Sequence, residues 1–123
     1  MANDKNAVIV RGLFDAANLI ASRDWQPLAE GVFISKIYET ENSSPYAAFL
    51  HYLPGASVPN HQHIGFEHIL ILHGFQIDGE KIYNAGTLVI HSPGTQHHLS
   101  APEGCIALGI WEKPVAFTSD TSS

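Results

Sequence analysis

The sequence predicts an all-β domain, an antiparallel barrel or two-sheet sandwich, and three observations carry that prediction. Eight or nine short runs rich in β-branched and aromatic residues fill most of the chain. Gly and Pro punctuate them at close, fairly regular intervals. Only one segment has helical spacing, and it is short.

In chain order, Val8-Ile9-Val10 is a β-branched run suited to pairing at a sheet edge. Apolar residues at 13, 14, 16, 17, 19 and 20 fit a short helix over 13–21. Strands follow at 31–39, 46–53, 57–63, 66–73, 75–77, 80–83, 87–91, 96–100 and 104–111. The breaks fall at Asn42-Ser43-Ser44-Pro45, Pro54-Gly55, Gly65, Gly74, Asp78-Gly79, Asn84-Ala85-Gly86, Pro93-Gly94 and Pro102-Glu103-Gly104. Asp78-Gly79 signals a tight turn, because Gly accepts the positive φ such a turn needs. Strands 66–73 and 104–111 are apolar almost throughout, as expected when both faces are covered. The first residues, 1–6, and the polar end 118–123 are expected to be mobile.

Composition narrows the function. A chain of 123 residues is one domain, large enough to bury a core without staples. Six Lys and Arg against a net charge of −6 leave no basic patch for nucleic acid and disfavour anionic membranes. Cys105 is the single cysteine, so no internal disulfide can form. No apolar run reads as a signal peptide or membrane span, and the chain is expected to be cytoplasmic.

Eight histidines are an excess for this length, and most of them cluster between His61 and His98. Their spacing carries the chemistry: Gly55-x5-His61-x-His63-x3-Glu67-x6-Gly74, then Gly86, then Gly94-x2-His97. Residues i and i+2 of a strand share a face, so His61 and His63 project together. Ile64-Gly65-Phe66 is a tight connection in which Gly65 is free to take unusual dihedrals, and it delivers Glu67 to the same point. His97 arrives after Pro93-Gly94 turns the chain back. Three imidazoles and a carboxylate make a site for one divalent first-row metal, with Fe, Zn, Mn and Ni all open.

This pattern resembles the cupin family. It meets every fixed position of that family's first motif, and Gly86, Gly94 and His97 meet part of the second. It departs at Ser92, where the family usually has Pro, and at Ala101, where it usually has Asn. The resemblance implies a double-stranded β-helix, the cupin jelly-roll barrel, over 24–113. A short helical arm over 1–23 would pack on the barrel or swap between barrels, and 114–123 would be a flexible tail. Asp24-Trp25-Gln26-Pro27-Leu28, the run from Glu67 to Gly74-Phe75, and Glu103-Gly104-Cys105 look like one subgroup. That subgroup is the cupin domain of ChrR-type anti-sigma factors and its stand-alone relatives, some of which are dioxygenases of diketones or hydroxyacetophenones. The sequence lacks the Cys/His set of the anti-sigma helical domain, so the anti-sigma role is not carried over.

The remaining candidates are weighed by strand parity. His68 and His98 neighbour Glu67 and His97 and so face away from the site, and His73 lies roughly 20 Å along its strand. Phe49, His51, Ile69 and Cys105 are candidates for a substrate pocket, although His51 reads equally well as an interior histidine and Cys105 as an inert thiol. Trp25 and Trp111 read as packing residues. Two functions follow. One is a dioxygenase- or isomerase-type enzyme acting on a small oxygenated molecule such as a diketone or hydroxyketone. The other is a non-catalytic, metal-dependent sensor or ligand-binding module. The edge-like run at 8–10 and the strand at 31–39 suggest a homodimer that covers exposed edges.

Overall fold

The computed structural model describes residues 7–40, 45–113 and 115–117. Expectations for 1–6, for the break at 42–44 and for 118–123 lie outside the described residues. A single helix, α1 (Ala16–Ser22), precedes the strands β1 (Gln26–Ala29), β2 (Val32–Glu39), β3 (Tyr46–Tyr52), β4 (Ala56–Gln62) and β5 (Glu67–Asp78). After these come β6 (Lys81–Asn84), β7 (Leu88–His91), β8 (Gln96–Ala101), β9 (Cys105–Trp111) and β10 (Ala116–Phe117). All pairings are antiparallel, in the order β1-β2-β3-β9-β5-β8-β4-β10, with β6 and β7 also on β5. The sheet curls into the nearly closed jelly-roll barrel that the sequence predicts.

The barrel interior holds Val32, Leu50, Tyr52, Val58, Ile69, Ile71, Leu99, Ala107 and Trp111, all buried. The outer face of β3, β9 and β5 is covered by α1, whose Leu19 packs on Phe49, Leu72 and Ile106. Asp15 caps this helix, its carboxylate accepting from the Asn18 N–H at 3.1 Å. No helix among the described residues is long and apolar enough to cross a membrane.

Several expectations are corrected. Gly74 does not end a strand: β5 runs straight through it and changes sheets there. A side chain at Gly74 would collide with the Gly104 carbonyl, and its φ of 76° is one only glycine adopts freely. Val8-Ile9-Val10 forms no strand. Val8 and Ile9 stay 67% and 66% exposed, while Val10 and Leu13 pack under α1. Nor is 31–39 an edge, because β1 pairs with β2 and covers it. The sequence reading missed β1, since Pro27 argues against a central strand; an edge strand tolerates it.

Candidate metal centre

The site forms where β4, β5 and β8 meet. Pro59 cannot donate to the ladder, and the register of β4 slips between Val58 and His61. That extra residue lets Val58 and His61 both face inward although they are three apart. His63 follows at the strand's end, and Gly94 and Thr95 bond its backbone. Gly65 is needed for space, not for unusual dihedrals: a Cβ there would press on the Glu112 side chain, which accepts from the Phe66 N–H. The turn that carries Ser92 in place of the family's Pro closes when the Thr95 hydroxyl donates to the Ser92 carbonyl at 2.7 Å.

His61, His63, Glu67 and His97 are brought together, all buried, with one donor atom from each within 4.8 Å of the others. The partners of their remaining atoms decide where the ring protons sit. His61 Nδ1 donates to the Pro59 carbonyl at 2.9 Å, so its Nε2 carries no proton. The Thr95 hydroxyl has spent its hydrogen on Ser92, so it accepts from His63 Nδ1 at 2.9 Å and leaves that ring's Nε2 without a proton as well. Asp78 accepts from His97 Nδ1 at 3.0 Å, and Trp111 Nε1 donates to Glu67 Oε2 at 2.6 Å. Three Nε2 lone pairs and Glu67 Oε1 therefore converge.

Such a set is unfavourable alone. His61 and His97 Nε2 lie 2.9 Å apart, and His63 Nε2 lies 3.0 Å from Glu67 Oε1. His63 Nε2 and Glu67 Oε1 are buried without an aligned hydrogen-bond partner. Facing lone pairs repel unless a proton or cation sits between them. Two donors each about 2.1 Å from one ion, at right angles, stand about 3 Å apart. The donor set fits a divalent transition metal.

Electrostatics agree. Burial pushes the His61 imidazole below its usual range, toward the neutral form a metal needs. Burial alone would raise Glu67, but His63, the Trp111 N–H and His91 outweigh it and hold the carboxyl below its usual range.

Three nearby residues escaped the sequence reading. His91 pairs with Glu67 across β5 and β7, stacks on His63 with ring centroids 4.7 Å apart, and stands 4.1 Å from His97. Burial and then His97 push it down to about 4. Asp78 orients His97, and Trp111 orients Glu67. Parity on β7, where Val89 and His91 alternate with exposed Leu88 and Ile90, was the one available signal for His91.

An apolar cavity of about 160 Å³ opens beside the cluster, lined by Leu50, Tyr52, Val58, Ile69, Leu99 and Trp111, with His61 and Glu67 at one end. Of the expected pocket residues only Ile69 lines it. Phe49 and His51 have the opposite parity and face α1 and Trp25, so Leu50 and Tyr52 take their place. Cys105 sits at the far end with Tyr52 and Gly74, its thiol pushed up to about 12 by burial. His73 bonds the Leu13 carbonyl at 3.1 Å, and His98 is exposed. A larger groove of about 610 Å³, rimmed by Asp24, Lys36 and Glu39, shares Leu28, Ile34 and Tyr46 with the cavity.

Residues 15–115 match the family described as the ChrR cupin-like domain. No curated protein matches the sequence. Among solved structures, the complex of Rhodobacter sphaeroides SigE with the anti-sigma ChrR matches at 28% identity and a TM-score of 0.66. That match covers 75% of this chain and 51% of the other, so the chain spans about half the length of that protein. An RmlC-like cupin protein from Ralstonia eutropha JMP134 matches at 20% identity and a TM-score of 0.71, over 91% of this chain and 74% of that one. An acetylacetone dioxygenase from Acinetobacter johnsonii matches at 17% identity and a TM-score of 0.72, over 98% and 85%. The last two likenesses show the fold alone.

Proposed function

The chain belongs to the ChrR cupin-like domain family, and from that premise we propose a metal-dependent enzyme acting on a small, uncharged molecule that chelates through two oxygens, such as a β-diketone or hydroxyketone. The observation that carries this reading is the convergence of one donor atom from each of His61, His63, Glu67 and His97, with His61 and Glu67 lining an apolar cavity. His61, His63, Glu67 and His97 would hold one divalent ion. When bound, the ion supplies Lewis acidity toward a pair of oxygens and, if redox-active, a site for O2 chemistry.

The chain's own residues set the rest. Pro59, Thr95 and Asp78 hold the imidazole protons on Nδ1 and keep each Nε2 unprotonated. Leu50, Val58, Ile69 and Leu99 exclude water around the ligand. A cavity of about 150 Å³ takes up a molecule the size of benzene, and this one is of the same order. Among the described residues no Lys or Arg lines it, so a carboxylate would find no counter-charge from them. The Acinetobacter protein's substrate, acetylacetone, falls in the proposed class and supports the reading.

One observation favours the second reading, a ligand-binding sensor. Apart from His61 and Glu67, the ionisable cavity residues among those described are Tyr46 and Tyr52. Both are pushed up mainly by burial, Tyr46 to about 12, so neither exchanges a proton near neutrality. Oxygen uptake by Fe(II)-loaded protein with a panel of β-diketones and hydroxyketones separates the two. The enzyme reading expects uptake that His61→Ala abolishes. Binding of these ligands without turnover, with any metal, moves the function to sensing.

The proposal also takes the protein as a homodimer, supported by the exposed apolar side chains of Val8, Ile9 and Phe14 on the arm. A single-chain mass by light scattering at micromolar concentration removes that part.

A further inference from the structure

The centre has two sides, and they differ in chemistry. His61 and Glu67 face the apolar cavity, whereas His63 and His97 are backed by His91 and Asp78. Asp78, His91 and His97 can bring one donor atom each within 4.8 Å of the others, which makes a second group able to hold an ion. Exposure rises along this side: the side chains of His97, His91 and Asp78 are 6%, 14% and 21% accessible. A hydrated divalent cation cannot cross the hydrocarbon of Leu50, Val58, Ile69 and Leu99 without shedding its water unaided. The polar side offers it a carboxylate first, then an imidazole, then a shared ligand.

We infer that Asp78 and His91 form the port through which the metal is loaded, a transient outer site that shares His97 with the buried centre. This rests on the metal-holding role proposed above for His61, His63, Glu67 and His97. Asp78 and His91 take the ion from water while His97 still belongs to both groups. For His97 to bind the outer ion through Nδ1, water takes the Nδ1 proton and supplies one to Nε2, which donates it to His61 Nε2 2.9 Å away. When the ion advances to the inner donors, water reverses the exchange and Asp78 accepts from Nδ1 again. His91, stacked on His63 and 3.8 Å from Glu67 Oε1, lies beside the inner group throughout. Metal and organic ligand thus reach the centre from opposite sides, and neither has to leave for the other to arrive.

The test is the rate of Co(II) loading, followed by the visible absorption of the bound ion in stopped flow, with release measured into excess chelator. His91→Gln and Asp78→Asn are compared with the unaltered protein; Asn at 78 can still accept from His97 Nδ1. A port residue alters loading and release together. Asp78→Asn is expected to slow loading about tenfold, the scale on which a charged approach alters association, and His91→Gln, which removes a ligand atom and no charge, by a comparable factor. Release should slow by a similar factor for His91→Gln, with little change in Kd. Unchanged loading rates in both variants overturn the port. So does a weakened Kd with unchanged loading and faster release in His91→Gln, which would make His91 an ordinary ligand. Failure of the underlying reading shows separately, as an unaltered protein that takes up no Co(II) or a His61→Ala variant that binds it just as well.

Discussion

At the scale of single residues, each inner donor is aimed by a neighbour that occupies its other polar atom. Trp111 is the most easily isolated of these neighbours. Its ring stacks on Tyr46 with centroids 4.6 Å apart, and its N–H holds Glu67 Oε2. Trp111→Phe keeps most of the stacking and removes the donor, so Glu67 can rotate and its carboxylate loses a bond. Metal affinity should fall about 10- to 100-fold, measured by competition against a chelator of known strength; an unchanged affinity shows that the hydrogen bond does not position Glu67. The same neighbours shape the response to pH. His91 is pushed down to about 4 from 6.5, and His61 is lowered as well, so between these values the unfolded chain binds protons that the folded chain refuses. Their contribution is therefore present above about pH 6.5 and is lost as pH falls toward 4. The urea midpoint of metal-free protein should drop across that window, and more shallowly in His91→Gln; parallel curves refute the assignment. Strand parity made His61 and His63 legible in the sequence, and Glu67 and His97 followed from the turns between. Parity on β7 hinted only that His91 faces inward; that His91, Asp78 and Trp111 reach the site depends on cross-strand register, which no local pattern encodes.

At the scale of elements, β5 organises the barrel. Its first half pairs with β9 and β7, and its second half with β6 and β8, so one strand carries both Glu67 and Asp78 to the centre. The change of sheet happens where the register slips between Ile71 and His73 and Gly74 takes its positive φ. Glycine there was legible as a special backbone position; that the chain bends without ending a strand was not, because a turn and a bulge ask for the same residue. The N-terminal run at 8–10 misled for a related reason: β-branched residues suit a strand, but a strand also needs a partner, and β1 already covers β2. Gly74→Ala should cost about 3 kcal/mol, from backbone strain together with crowding against Gly104. Urea unfolding at fixed pH measures it. A loss within experimental error would mean that the bend in β5 does not depend on glycine.

At the scale of the whole molecule, the centre ties the start of β5, which pairs with β7 and β9, to the paired strands β4 and β8. His61 comes from β4, Glu67 from β5 and His97 from β8, and His63 from the connection after β4. An ion held by all four bridges the barrel across its interior, where the alternative is two pairs of opposed lone pairs. Unfolding separates those donors and dissolves the bridge. The folded state should then gain stability in proportion to the logarithm of the free ion over its Kd, about 4 kcal/mol at a thousandfold excess. Removing the ion with a chelator should lower the urea midpoint accordingly, and adding it back should restore the midpoint. His97→Ala should gain much less from metal than the unaltered protein, because one of the four donors is gone. A midpoint in the unaltered protein that ignores metal at saturating concentration would place the ion on the unfolded chain as firmly as on the folded one. The four residues would then be a histidine cluster without the closure that their hydrogen bonds prescribe.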